Sequence, residues 1–354
     1  MNIPSSAEIP LADKSVAPYR LLAGFVVAFA LTFLINNVLT FWGGAPGALN
    51  TLTSLGLLPF DPDDAVSGAG ALAAGLAQLL LYIAALVWVV FYVRRRTGAD
   101  GILRDVARYQ WLAAYIVRAA FWAVVLVGLA DYVVSFLRVE NFLSAIVGDE
   151  LSTQLGRPQF RGIYLHYPLV ALAFLIAAFT RSLSFIWLAT LVVLAEFQIV
   201  LLRFVFSYEQ AFMGDLVRFW YAALFLFASS YALVEEAHVR VDVLYAHFGR
   251  RKKAWTNALG SVFLGWPICF TILLLGMWGR GSSLNSPLLS YEITQSGFGM
   301  YVKYLMAGYL VVFAVSMIVQ FAAYLLESVA VLAGYEEDEH VFEPTSGLTP
   351  HTIE

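Results

Sequence analysis

Eight separate apolar runs, each close to the length needed to cross a bilayer, limit what this chain can fold into more than any other feature. They lie at about 20–42, 70–93, 112–137, 165–180, 184–206, 212–234, 256–278 and 302–327. A helix needs roughly 20 apolar residues to cross the hydrocarbon core. Within lipid every backbone N–H and C=O must be satisfied inside the segment, so such runs predict helices. The expected fold class is all-α: a polytopic integral membrane protein of about eight transmembrane helices. Composition agrees, since 60% of the 354 residues are hydrophobic and 13% are charged. Soluble domains carry roughly twice that share of charge. The first apolar run is too long for a signal peptide and follows a long polar lead-in, MNIPSSAEIPLADKSVAPYR, so it reads as retained.

The charge distribution assigns sides. With eight spans, Arg94, Arg95 and Arg96 fall on the same side as Arg250, Arg251, Lys252 and Lys253. Basic residues concentrate in cytoplasmic loops, which makes these clusters cytoplasmic topology anchors and puts both termini in the cytoplasm. The other side carries a thinner set, Arg138, Arg157, Arg161, Arg203, Arg280 and Lys303, together with the acidic loop FDPDDAVSG. A net charge of −4 argues against a nucleic-acid partner, which would require a concentrated basic face.

The most polar run in the second half is EEAHVRVDVLYAHFGRRKKAW, residues 235–255. It falls between two spans and reads as a cytoplasmic turn. An amphipathic helix in the headgroup layer, with Val239, Val243 and Leu244 toward lipid, suits it better than a strand without a partner. His238 and Asp242 are four apart and His247 follows, but a zinc site requires three or four ligands at defined spacing. A capped or ion-paired turn is the preferred reading, with no metal and no cofactor. Haem would need histidines deep within helices, whereas positions 166, 238, 247, 340 and 351 read as span ends, turns or tail. The lone Cys269, inside an apolar run, reads as a small apolar filler. No phosphate-binding loop, nucleophile elbow or kinase signature is present, so an enzyme is not expected.

Charges inside spans are costly and face protein or a cavity. Arg118 and Asp131 share the third span but are thirteen residues apart, too far to pair directly. Glu196 lies in the fifth span and Arg203 ends it. Asp215 and Arg218 open the sixth, three apart on one face, which allows an ion pair. Asn36, Asn37 and Gln78 suit hydrogen bonds between helices. The doubled, Gly/Pro-broken helix pair of a secondary transporter's substrate site is not evident. The chain reads as a helical framework; a self-sufficient channel or transporter, or a membrane enzyme or cytochrome, are the competing readings.

Residues 184–333 resemble the small membrane subunit of tripartite ATP-independent periplasmic (TRAP) transporters. The resemblance rests on LLRFVFSYEQAFMGDLVRFWYAALFLFASSYALVEEAHVRVDVLY. The family's first helix ends on an Arg-Tyr-like group, here Arg203-Phe204-Val205-Phe206. An acid opens the second, here Asp215, with Leu216 and Arg218 after it. An aromatic-rich span leads to the block His238-Val239-Arg240-Val241-Asp242. Where the family usually has Trp-x-Glu-Glu, this chain has Phe212-Met213-Gly214-Asp215, losing an interfacial Trp and one acid. Gly260-Ser261, Pro267, Glu292, Gly297, Lys303 and Gln320 look most like a subgroup associated with mannitol, chloroaromatic and keto-acid systems.

The resemblance implies a division into an N-terminal four-helix membrane extension (1–182), a small-permease four-helix domain (183–334) and an acidic polar tail (335–354). It implies a scaffold that holds no substrate itself. Its partners would be membrane lipids, a large TRAP membrane subunit that binds sodium and substrate and moves as an elevator, and a periplasmic substrate-binding protein. Localisation would be the bacterial inner membrane and the cargo an organic acid. Arg203, Asp215, Arg218, His238, Arg240 and Asp242 would serve structure or interface, with no catalytic, metal or substrate-binding residue expected.

Overall fold

The computed structural model describes residues 12–59, 66–180, 185–234, 245–294 and 298–335. In chain order the helices are α1 (Ala12–Phe41), α2 (Ala48–Ser54), α3 (Ala69–Arg95), α4 (Gly98–Val139), α5 (Leu143–Val147) and α6 (Asp149–Leu155). They continue with α7 (Pro158–Phe179), α8 (Phe185–Phe206), α9 (Ala211–Val234), α10 (Arg250–Met277), α11 (Asn285–Ser290) and α12 (Lys303–Ala333). Two contain a π turn: Gly162–His166 within α7 and Ser261–Gly265 within α10. Among the described residues there is no strand, and eight helices are long and apolar enough to cross a membrane. The expected all-α, eight-span class is therefore observed.

Several helices extend beyond the apolar runs of the sequence, and three of the new starts have a clear local cause. Helix α4 starts at Gly98, well before the apolar run at 112, because its polar beginning is amphipathic. Ile102, Asp105 and Val106 are buried on one face while Asp100 and Arg104 stay in the open. Helix α7 starts at Pro158, a residue pre-set for a first helical turn, and gains the length that 165–180 lacked. Helix α10 starts at Arg250, so Arg250, Arg251, Lys252 and Lys253 form its opening turn instead of a loop. Residues 138–164 hold α5, α6 and the start of α7. The block with His238, Arg240 and Asp242 lies outside the described residues, as do Arg181, Gly297, His340, His351 and the 60–65 part of the acidic loop.

Helix ends follow local chemistry. At the end of α4, Asn141 adopts φ 60°, a left-handed conformation that asparagine tolerates. Its N–H donates to Arg138 O at 3.2 Å and the Phe142 N–H to Leu137 O at 2.9 Å. These are the paired bonds that close a helix C-terminus around a left-handed residue.

The chain forms two compact units, each built from non-consecutive segments. The first comprises Met1–Gln110, Arg240–Pro267 and Ile318–Phe342; the second comprises Trp111–Val239, Ile268–Met317 and Glu343–Glu354. In the first, α1 packs along α3. Gln78 Nε2 on α3 donates to Asn36 Oδ1 at 3.0 Å and Thr40 Oγ1 at 3.1 Å on α1. Its Oε1 accepts the Gly47 N–H at 2.9 Å, and Asn36 Oδ1 also accepts the Ala48 N–H at 3.2 Å. The hydrogen bonds expected of Asn36 and Gln78 are thus present, and they also satisfy amides at the start of α2.

In the second unit the core is an aromatic stripe of α9 against α4. Phe212, Leu216, Phe219, Trp220, Ala223 and Phe227 are buried at the helical spacing of a single face. Trp220 reaches α4 at Gly128, where an added Cβ would meet Trp220 Nε1 at 2.5 Å. Its indole N–H donates to Val124 O at 3.3 Å. Segment 111–180 therefore shares a core with residues of α8, α9 and the start of α12.

Candidate functional site

A buried polar cluster in the second unit forms around Asp131 of α4. Its side chain and those of Arg161 and His166 are fully buried. Arg161 Nη1 donates to Asp131 Oδ1 at 2.9 Å and to Ser135 Oγ at 3.1 Å. His166 Nε2 lies 3.0 Å from the same Oδ1, and its Nδ1 lies 2.9 Å from the Tyr304 hydroxyl. A carboxylate only accepts, so a neutral His166 carries its proton on Nε2 and accepts from Tyr304 on Nδ1. Asp131 Oδ2 accepts the Tyr301 N–H at 2.8 Å. Arg161 Nε donates to Leu155 O at 2.9 Å, and its guanidinium lies 4.2 Å from the centre of the Tyr301 ring. Arg138 donates to the Tyr301 hydroxyl, which itself donates to Gly156 O at 3.1 Å.

Helix geometry explains how Arg161 and His166 reach one oxygen. Five residues along an α-helix differ in direction by about 140°. A π turn closes its hydrogen bond at five residues, which stacks positions i and i+5. The turn Gly162–His166 lies between them. It also brings the backbone close to two tyrosines: a Cβ on Gly162 would meet Tyr291 Cδ1 at 2.5 Å and the Tyr304 hydroxyl at 3.1 Å. Only glycine allows that approach.

A second carboxylate acts beside the first. Asp215 Oδ2 on α9 accepts the Met300 N–H at 3.0 Å and the Thr294 hydroxyl at 3.4 Å. Two successive amides, of Met300 and Tyr301, are thus held by carboxylates from two different helices just before α12 begins. Met300, Tyr301, Val302 and Tyr304 are all buried. The arrangement is a clamp on the entry to α12. Both Asp131 oxygens already accept from the protein, one from Arg161 and the other from a backbone amide. Among the described residues no group of three or more His, Cys, Asp or Glu is placed to hold a metal ion.

The first unit has a smaller cluster. Arg20 Nε of α1 donates to Asp105 Oδ2 of α4 at 2.7 Å, with both side chains nearly inaccessible. Arg20 also donates to Arg96 O, and Tyr92 donates to Asp105 Oδ1 at 2.7 Å. It ties α1 to the corner where α3 passes into α4.

The residues singled out in the sequence are distributed unevenly over these clusters. Asp215 belongs to the clamp, and its expected pair with Arg218 is present at 3.4 Å. The Arg218 side chain is 74% exposed, so that pair contributes little. Arg203 ends α8 and pairs with Glu209 at 3.4 Å across the turn to α9, again in the open. Arg94 and Arg95 occupy the last turn of α3, where cations suit the helix dipole, and Arg96 follows as its cap. His166 departs from its expected place at a span end, because α7 begins eight residues before it. Arg161, expected on an outer segment, is instead fully buried on Asp131. Asp131 and Arg161 carried a signal as charges in an apolar chain, but a five-residue spacing gave no reason to group Arg161 with His166.

Residues 189–331 match the family model described as "Tripartite ATP-independent periplasmic transporters, DctQ component". The match covers fewer than half of the 354 residues and leaves α1 to α7 outside it. No curated protein and no solved structure matches the chain.

Proposed function

We propose, from the DctQ domain that residues 189–331 carry, that this chain is the small membrane component of a TRAP transporter and acts as its fixed scaffold. The helices before the domain form an N-terminal extension. In this reading a separate large membrane subunit binds sodium and an organic acid and moves as an elevator. A periplasmic binding protein delivers the substrate. The chain sits in the bacterial inner membrane with both termini in the cytoplasm and performs no catalysis.

The observation that carries the scaffold role is the clamp at Asp131 and Asp215. Charged groups within membrane helices mark substrate paths when they face a cavity, and lock helices when they face one another. Here the buried carboxylates accept from backbone amides, an arginine and a histidine of the same chain. A wall against which another subunit slides requires helices whose ends do not shift, and the clamp holds the entry to α12. The 1–182, 183–334 and 335–354 division belongs to the same proposal, with the extension widening the wall or meeting the binding protein through 43–69 and 138–164.

The test is reconstitution. The chain alone in proteoliposomes should give no sodium-dependent uptake of organic acids. Uptake should appear when the large subunit and binding protein are added. Substrate-specific flux through the chain alone would overturn the scaffold reading.

A further inference from the structure

A groove of about 580 Å³ lies in the second unit along the seam of α4 and α8, well within the range of small-ligand sites. Its order along the helices is specific. Tyr132 and Phe136 of α4, and Glu140 just past its end, follow at four-residue intervals opposite Gln198, Leu202 and Phe206 of α8. The seam is bridged at two levels. Gln198 donates to the Tyr132 hydroxyl, and the Tyr208 hydroxyl donates to Glu140 Oε1 at 2.6 Å. Eight residues of helix separate the levels, or about 12 Å. Between them the walls are the apolar side chains of Phe136 and Leu202. The Tyr208 phenol is pushed up by burial and then by the Glu140 carboxylate.

Three features limit what can fill this groove. Its walls are two helices long and apolar enough to span a membrane, so the surrounding medium is lipid. Its polar end coincides with the ends of both helices, after Val139 and Phe206, where a bilayer's headgroups begin. The charge at that end is a carboxylate, which attracts a cation and repels an anion.

We propose that the groove between α4 and α8 binds one aminophospholipid, with its ammonium on Glu140 and an acyl chain along Phe136 and Leu202. α8 belongs to the DctQ domain and α4 to the segment before it, so the lipid seals the seam between the two parts. The lipid measurement uses this chain alone, so its failure leaves the scaffold reading untouched.

The full chain is purified in mild detergent from nanodiscs containing equal phosphatidylethanolamine and phosphatidylglycerol, and the retained lipid is measured by native mass spectrometry. One phosphatidylethanolamine per chain is expected. Leu202→Trp, which fills the groove from a half-buried position on α8, should lower retention by about tenfold. Glu140→Gln should keep the occupancy and lose the preference for the amine headgroup. A wild-type chain that retains no lipid overturns the proposal, as does a Leu202→Trp chain that retains as much as wild type. Equal retention of both lipids by wild type overturns the assignment of Glu140. In a lipid-free complex with the proposed large subunit, a Phe142→Cys chain that cross-links to that subunit assigns the groove to a protein partner and also overturns the lipid proposal. Correct folding of each variant is checked by helical circular dichroism.

Discussion

Helices α8 and α12 are nearly the same to a hydropathy scale and opposite in the fold. Both are apolar enough to cross a membrane, yet 11% of the apolar stretch of α8 is buried against 67% of that of α12. The difference lies in small and polar residues. Helix α12 carries Ala314, Ser316, Gln320, Ala322, Ala323 and Ser328, all buried, and these allow neighbours to approach closely and to bond. Helix α8 presents Trp187, Val193, Leu194, Phe197, Phe204 and Val205, all exposed. In lipid an exposed leucine carries no penalty, so bulk apolar surface says nothing about which helix lies inside. Packing and polar contacts decide that.

If α12 is the fixed helix because carboxylates hold its entry, then removing Asp131 should produce the largest loss. Asp131→Ala strands Arg161 and His166 in a closed site, and breaking a buried pair costs about 3–5 kcal/mol. Thermal unfolding in detergent should show it; an unchanged midpoint would break the contrast between the two helices. Next comes Ala322→Phe on α12, where overpacking costs about 1–3 kcal/mol. The matching change Val193→Phe on α8 should cost almost nothing in the same assay. Equal losses would mean that α8 is as confined as α12.

Asp215→Asn keeps an acceptor for the Met300 N–H but weakens it. A loss of about 1 kcal/mol is expected, the worth of one hydrogen bond. A loss as large as that of Asp131→Ala would make Asp215 the principal clamp. The smallest effect belongs to Leu194→Ala, which should change stability by no more than about 0.5 kcal/mol. If α8 contacts the large subunit, that variant should still co-purify less of it, and undiminished recovery would leave α8 facing lipid.

The number and class of the helices were legible because lipid forces long apolar runs into one structure. Particular contacts were legible where two polar residues stood alone among apolar ones, as with Gln78 and Asn36, or at helical spacing, as with Asp215 and Arg218. Boundaries were less so. The amphipathic start of α4 and the RRKK turn of α10 are polar, and hydropathy stops where they begin although the helix does not. The Asp131 cluster resisted for a different reason. Arg161 and His166 face apart in a regular helix, and only the π turn at 162–166 aligns them.

Sequence alone determined that this chain is built of membrane-crossing helices, how many are long enough, and that residues 189–331 match the DctQ family model, since each depends on runs of residues along the chain. Tertiary structure decided which helix is enclosed and which is bare, and where the charges within the spans find partners. Those outcomes depend on residues such as Asp131 and Tyr301, distant in the chain, meeting within 2.8 Å. Lipid offers such groups no hydrogen bonds, so the fold itself had to bring Asp131 its partners.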